Sequence, residues 1–228
     1  MLLDLLFPKY CIGCAKLGRI LCDTCRKEIK PSVLDVCPYC YRNSPGGKTH
    51  ERCQKRNGLD GAISIVRYNA IAKKIVKNIK YRLAYDTFNQ IVELFPDHWW
   101  RTEIFQRLPR EEVLIQPIPL HSARLKLRGF NQAEIVARHL SKETGISITD
   151  CLKRIKNTLP QAKIATRKER EGNIKGAFAV TNEDLIRGKT IILVDDIFTS
   201  ASTAKEATTA LKKRGAAKVF LYAFAHGS

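Results

Sequence analysis

The chain has 228 residues, 44% of them hydrophobic, enough for one ordinary core and a small extra module. It carries 40 Lys and Arg against 22 Asp and Glu, a formal net charge of +18, which points to an anionic partner: phosphates, nucleic acid or an acidic membrane face. No apolar run approaches the roughly 20 residues that span a bilayer, so no membrane span is expected.

The opening MLLDLLF (1–7) is apolar but short. Asp4 interrupts it, and it lacks the basic start and small-residue cleavage site of a secretory signal. It is read as a short helix packed on the cysteine-rich segment after it, in a chain that stays in the cytoplasm with its thiols reduced.

Seven of the eight cysteines lie between positions 11 and 53. They come as Cys11-x2-Cys14, Cys22-x2-Cys25, Cys37-x2-Cys40 and, within THERC, His50-x2-Cys53. An x2 spacing lets two ligands of one tight turn face the same ion, and zinc takes four N or S ligands tetrahedrally in a closed structural site. Eight ligands make two sites. Sequential ribbons group Cys11, Cys14, Cys22 and Cys25, then Cys37, Cys40, His50 and Cys53; an interleaved arrangement would pair the first knuckle with the third. The sequential form is preferred because each ribbon closes its own short loop, and His50 rests on spacing alone. So small a head has few aliphatics, and its metals would supply its folding energy. Tyr39, Tyr41, Arg42, Lys48, Arg52, Lys55 and Arg56 put aromatics among basics, a pattern that can stack bases and track a phosphate backbone or be no more than a solvated surface.

RNGLDGA (56–62) reads as a linker, dividing the chain into a zinc-ribbon module at 1–56 and a body at 60–228. ISIVRY (63–68) comes next as a strand. From Ile71, apolar residues recur at helical spacing, with Ala72, Ile75, Val76 and Ile79 on one face and Lys73, Lys74, Lys77 and Lys80 on the other. A second helix is predicted over 87–95. DHWWRTE (97–103) has no clear assignment, and Trp99 and Trp100 are read as packing residues.

VLIQPIPL (113–120) is a strand closed by prolines. Gly129 marks a turn, and a helix comes after it with Ile135, Val136 and Leu140 inward. A short strand is predicted within 149–154. Residues 157–178 show no clean period and read as a long mobile loop. KTIILV (189–194) is a buried strand, 203–214 a helix, and AKVFLYAFAHG (217–227) the last strand. Strands alternating with helices predict a parallel α/β sheet.

The stretch IILVDDIFTSAST (191–203) runs a central strand into paired carboxylates and then a small, hydroxylated turn. Asp195 and Asp196 fall at the carboxyl end of that strand, where open α/β sheets bind ligands. The N–H groups and hydroxyls of the turn form an anion cradle at the positive end of the next helix. A sugar phosphate satisfies both halves. The plainer alternative is a strand-end pair and then an ordinary helix start, with Thr203 and Glu206 as a capping box; the strand in front favours the ligand.

This stretch resembles the thirteen-residue phosphoribosyl-pyrophosphate (PRPP) motif of type I phosphoribosyltransferases. The cysteine knuckles, IKYR, PIPLHSARLKLRGFNQA and REGNIKGAF precede it in the order of the competence protein F (ComF) family, so the resemblance covers nearly the whole chain. It implies a Rossmann-like parallel sheet behind a small zinc-ribbon module. It implies that Asp195 and Asp196 hold the ribose with magnesium nearby, and that Thr199, Ser200, Ala201, Ser202 and Thr203 bind the 5-phosphate. Pro119 and Leu120 then lie near the pyrophosphate, with Arg124 and Arg128 as cationic partners. Arg128, Gly129, Phe130, Asn131 and Gln132 match the family's RGFNQ, and Arg170 and Asn173 its R-x2-N segment; Asp195, Asp196 and Arg128 would carry any catalysis.

Residues 121–175 hold 13 Lys and Arg against five Asp and Glu, a basic wall suited to a pyrophosphate leaving group. Ala201 departs from the family's usual glycine in the phosphate loop, which puts catalysis in doubt more than fold. The sequence supports two readings: a PRPP-dependent transferase, or a non-catalytic protein that keeps the transferase fold and holds single-stranded DNA with other competence proteins during uptake and transformation.

Overall fold

The computed structural model describes residues 8–32, 36–81, 85–96, 98, 109–161 and 164–227. The expected helix at 1–7, Trp99, Trp100 and Arg82 of the IKYR segment lie outside them. A four-stranded parallel sheet, ordered β1-β6-β5-β2, forms the centre. Its strands are β1 (Gly61–Arg67), β2 (Val113–Pro117), β5 (Thr190–Phe198) and β6 (Lys218–His226). A small antiparallel pair, β3 (Leu152–Arg154) and β4 (Phe178–Val180), stands apart. The helices are α1 (Asp23–Lys27), α2 (Ala70–Tyr81), α3 (Tyr85–Glu93), α4 (Ser122–Arg128), α5 (Gln132–Thr144), α6 (Arg167–Ile174) and α7 (Ser202–Lys213). Among the described residues no helix is long and apolar enough to cross a membrane.

Strand residues alternate between two covered faces, which is why the strands read as unbroken apolar runs. Ile192, Val194, Phe220, Tyr222 and Phe224 face a core built with Ile75 of α2, Phe88 and Ile91 of α3, and Ile135 and Leu140 of α5. Ile191, Leu193, Leu221 and Ala223 face the other core, closed by Ile174 of α6, Ala204, Ala207 and Leu211 of α7, and Leu152 and Phe178 of the small pair.

The free edge of β1 is covered by the segment joining the two ribbons. Ser32 N–H donates to the Ile65 carbonyl at 2.9 Å, and Arg67 N–H to that of Lys30 at 3.0 Å. Covering an edge removes a template for wrong pairing. On one side of that edge, Cys11, Leu21, Cys25 and Ile29 of the first ribbon join the α2–α3–α5 core. Lys74 of α2 donates to the Gly13 carbonyl, and Asn69 Nδ2 to that of Glu28. On the other side, Val36, Tyr39 and Tyr41 of the second ribbon pack on the α7 core. The ribbons therefore straddle the sheet. The expected linker is itself packed: Leu59 is buried, and Asp60 Oδ2 accepts from Lys212 Nζ and Val219 N–H, each at 2.7 Å.

One end of the sheet is open. β2 stops at Pro117, paired with Val194, while β5 runs four residues further along β6. Proline has no N–H to extend the ladder, and Pro119 stands two residues beyond. The helices after β2 and β5 pack on opposite faces, α5 on one and α7 on the other. That divergence is a topological switch point, and Asp195 and Asp196 lie in its crevice.

Two elements differ from the sequence reading. The expected loop at 157–178 contains α6, started by a full capping box between Thr166 and Glu169. The stretch before Gly129 forms α4, which has no buried residue and so shows no core-facing period.

Candidate functional site

The crevice is a cleft of about 670 Å³. It is lined by every residue predicted to meet a ligand: Pro119, Leu120, Arg124, Arg128, Arg170, Asp195, Asp196, Thr199, Ser200, Ala201, Ser202 and Thr203. Asp196 is only 6% exposed, and its N–H donates to Asp195 Oδ1 at 2.8 Å. The 199–203 turn leads into α7, whose N-cap is Ala201 in the left-handed conformation, φ 51° and ψ 18°. No side chain caps this helix, and Ser202, Thr203 and Ala204 of its first turn line the cleft at the positive end of the helix dipole. The capping box considered for Thr203 and Glu206 does not form. α7 starts one residue earlier, at Ser202, and Glu206 Oε1 instead accepts the Gly176 N–H at 2.7 Å, tying α7 to the end of α6.

Among the described residues, six cations line the cleft with these two carboxylates: Arg124, Arg128, Arg170, Arg154, Lys73 and Lys77. The last three carry no site signal in the sequence. Lys73 and Lys77 lie one turn apart on the basic face of α2, which a solvated surface explains equally well. Arg154 closes a three-residue strand and belongs to no motif. Its guanidinium lies over the Phe178 ring, 5.7 Å from the centroid, and Nη2 donates to Thr158 Oγ1 at 2.6 Å. Burial, and next the neighbouring Arg124, lower its pKa to about 10, with Asp195 acting the other way. It remains a cation at neutral pH.

The matched motifs separate into holders and contacts. Gly129, φ 82°, ends α4 in the left-handed position that glycine adopts freely, and Asn131 caps α5 through its Oδ1 on Ala133 N–H. Arg128 Nη1 donates to Gln132 Oε1 at 2.7 Å, and both line the cleft. Asn173 clamps the backbone of Leu159 from both sides, at 3.1 and 3.0 Å, fixing the strip that carries Thr158, Pro160 and Gln161.

In the N-terminal segment, seven cysteines and His50 form two clusters. Cys11, Cys14, Cys22 and Cys25 make one, and Cys37, Cys40, His50 and Cys53 the other, each with its ligand atoms within 4.8 Å of one another. This is the sequential grouping. A tetrahedral zinc with bonds of about 2.3 Å spaces its sulfurs by roughly 3.8 Å, so both sets fit. His50 is oriented as a ligand would be: Nε2 lies 3.1 Å from the Asn43 carbonyl, leaving Nδ1 to face Cys40 Sγ at 3.3 Å. Burial pushes the Cys11 and Cys37 thiols up, but backbone N–H groups outweigh it and hold them at about 6 and about 7. Four thiolates in the first cluster, or three beside His50 in the second, cannot crowd together without a cation between them, and each cluster supplies the place for one.

Tyr39 and Tyr41, the candidate base-stacking aromatics, are both engaged in packing. Tyr39 is half-buried with its hydroxyl accepting the Leu59 N–H at 2.9 Å, and both rings pack on the core beneath α7. Their faces are taken by Lys55 and Lys205 and by the His226 ring.

Comparison with known proteins agrees with this architecture. Residues 125–227 match the phosphoribosyl transferase domain and residues 2–54 the double zinc ribbon domain. Competence protein F of Haemophilus influenzae is 28% identical, covering 94% of this chain and 96% of its own. Competence protein ComFC of Bacillus subtilis is 25% identical, covering 86% and 80%. DNA utilization protein YhgH of Salmonella typhi is 26% identical, covering 87% of each. Among solved structures, a glutamine PRPP amidotransferase from B. subtilis, complexed with ADP and GMP, aligns at 16% identity with a TM-score of 0.42. It covers 65% of this chain but only 30% of its own, too slight a likeness to carry an argument.

Proposed function

We propose that this chain, similar over most of its length to competence protein F and ComFC and matching the double zinc ribbon and phosphoribosyl transferase domains, binds PRPP or a related ribose phosphate in its cleft. The observation that carries the reading is the meeting, in one crevice, of Asp195 and Asp196 with the uncapped start of α7 and the arginine wall. Ribose hydroxyls donate to the carboxylates. The 5-phosphate accepts from the 199–203 N–H groups and hydroxyls. Pyrophosphate oxygens accept from Arg124, Arg128, Arg154 and Arg170, whose planar forks suit them. Magnesium, held by substrate phosphates and a carboxylate of the Asp195–Asp196 pair, would neutralise part of that charge.

In this reading residues 60–228 form the phosphoribosyltransferase-like domain and 1–56 a module holding two zinc ions, and the protein works in the cytoplasm. Any transfer would break the bond from ribose C1 to pyrophosphate, a step that needs charge stabilisation more than a covalent nucleophile. PRPP with magnesium is expected to raise the melting temperature. Asp195→Asn combined with Asp196→Asn should abolish the shift, and an unshifted wild type would sink the ligand reading.

A second reading draws on the relatives' names, competence and DNA utilization proteins, and on the basic surface, with Arg42, Arg52 and Lys55 exposed on the second ribbon. It assigns a role in DNA uptake and transformation, with single-stranded DNA and other competence proteins as partners. Without Tyr39 and Tyr41 as a platform, the binding would be chiefly electrostatic. Affinity for an oligothymidine should then fall steeply with salt; equal affinity at low and high salt would remove this mode.

A further inference from the structure

The second ribbon reaches the 199–203 loop through Lys205. From the first turn of α7, Lys205 Nζ donates to the Ser200 carbonyl at 2.9 Å. The same ammonium lies 4.9 Å from the Tyr39 ring centroid and 5.8 Å from that of Tyr41. Both rings attract the cation electrostatically, more strongly where water is displaced. Lys205 stands behind the loop rather than among the residues lining the cleft.

The rings are in turn fixed by the ribbon. Tyr41 comes directly after Cys40 and adopts a left-handed backbone, φ 58°, with its N–H on the Cys37 carbonyl at 2.9 Å. Ala15 holds the equivalent place after Cys14, φ 62°, with its N–H on the Cys11 carbonyl at 2.7 Å. The left-handed turn therefore belongs to the cysteine knuckle. In the first ribbon the position carries a methyl. In the second it carries a ring that lies flat on His226, centroids 6.4 Å apart and planes 2° apart. His226 pairs with Phe198 at the end of β5, where the loop begins. Tyr39 is confined by Gly58, where a Cβ would fall 2.4 Å from the Tyr39 hydroxyl. A bulky residue in the left-handed region persists only where its surroundings insist on it.

We propose that Lys205 is a positioning residue for the 199–203 loop, and that the second metal cluster governs that loop by holding Tyr39 and Tyr41 against Lys205. The inference rests on reading the loop as a phosphate cradle. It makes a closed metal site a control over ligand binding on the other side of α7.

Hydrogen exchange read by mass spectrometry on the ligand-free, metal-loaded full chain tests the brace without any ligand. Lys205→Met and Tyr41→Leu should each speed exchange across 199–203 by about fivefold, the factor a cation–π contact of ordinary strength supports. Protection in β1 and β2 should not change. Lys205→Arg and Tyr41→Phe, which keep the cation and the ring, should stay close to wild type; if Tyr41→Leu does not fold, the two Lys205 variants carry the test. In calorimetry with PRPP and magnesium, Lys205→Met should bind more weakly by a similar factor and Lys205→Arg should not. Unchanged loop exchange in Lys205→Met overturns the proposal. Faster exchange in a protein whose wild type binds no PRPP upholds the brace and overturns only the phosphate reading.

Discussion

Arg124 and Arg154 converge on one residue: Nη2 of Arg124 donates to the Thr158 carbonyl, and Nη2 of Arg154 to the Thr158 hydroxyl at 2.6 Å. Two guanidiniums are thus held side by side in a partly buried cleft, where like charges repel more strongly than in water. Burial and Arg124 together depress Arg154 to about 10. Such an arrangement costs the free protein stability and suits an anion, as the proposed ribose-phosphate ligand would require.

Arg154→Met tests this by separating stability from affinity. Methionine keeps an apolar side chain at this position, while the guanidinium over the Phe178 ring and the second positive charge disappear. Stability of the free protein should hold or rise by up to about 1 kcal/mol, since the lost hydrogen bond is offset by relieved repulsion. Affinity for PRPP with magnesium should fall at least about tenfold, as expected for losing a charged hydrogen-bond donor. A variant that loses stability yet binds normally would make Arg154 a structural residue.

Ala201 carries the next prediction. It is 6% exposed and left-handed at the start of α7, the position where glycine is expected in this kind of loop. A left-handed alanine costs about 1 kcal/mol or more in strain. Ala201→Gly relieves that strain but loses a buried methyl and frees the unfolded chain, terms of similar size. Denaturant unfolding should therefore shift by less than about 1 kcal/mol, while PRPP binding tightens because the backbone can approach the phosphate. Ala201→Val, β-branched in the same conformation, should be clearly destabilised. Equal stability of the Gly and Val variants would mean that the left-handed conformation is not retained in solution.

An element is legible in the sequence when its own residues carry the signal. Ile191 to Asp196 announce themselves because a doubly covered strand is apolar along its covered length and then turns to charge, although β5 itself runs on to Phe198. The ligand grouping is legible because each ribbon closes a short loop. α6 escapes notice although Thr166-x2-Glu169 spells its capping box, since among its described side chains only Ile174 is buried, which leaves no period. α4 escapes because Leu125 and Leu127 point outward, the latter 90% exposed. Arg154 and the straddling of β1 by the two ribbons depend on contacts between distant segments, which spacing along the chain does not encode.

The first metal cluster should behave as part of the main core. Cys11 and Cys25 are buried among residues of α2 and β1, so a boundary at 56–60 separates modules in sequence but not in packing. Cys25→Ser should lower the stability of the whole chain by roughly 3 kcal/mol or more, because metal binding is folding energy for such a site. For a chain of this size that is a fall of about 6–12 °C. A single cooperative transition is expected in both proteins, and native mass spectrometry should count two zinc ions in the wild type and one in the variant. Independent melting of an early ribbon transition, with the later one unmoved, would contradict the shared core.

His226 supplies a pH dependence whose sign is fixed by its burial. Stacked on Tyr41 and half-covered at the end of β6, its imidazole is held below the ordinary range by desolvation. The folded protein favours the neutral ring, whereas the unfolded chain protonates it near pH 6.5. Its contribution to stability is complete above that pH and is lost as pH falls through the folded-state value. His226→Phe keeps a ring against Tyr41 and cannot titrate. Acid release of metal from the cysteine clusters affects both proteins alike, so their difference isolates the histidine. Between about pH 7 and pH 5, wild type should lose denaturant stability faster than the variant. Parallel stability curves would show that His226 takes up its proton without cost and that the stack on Tyr41 opens freely to water.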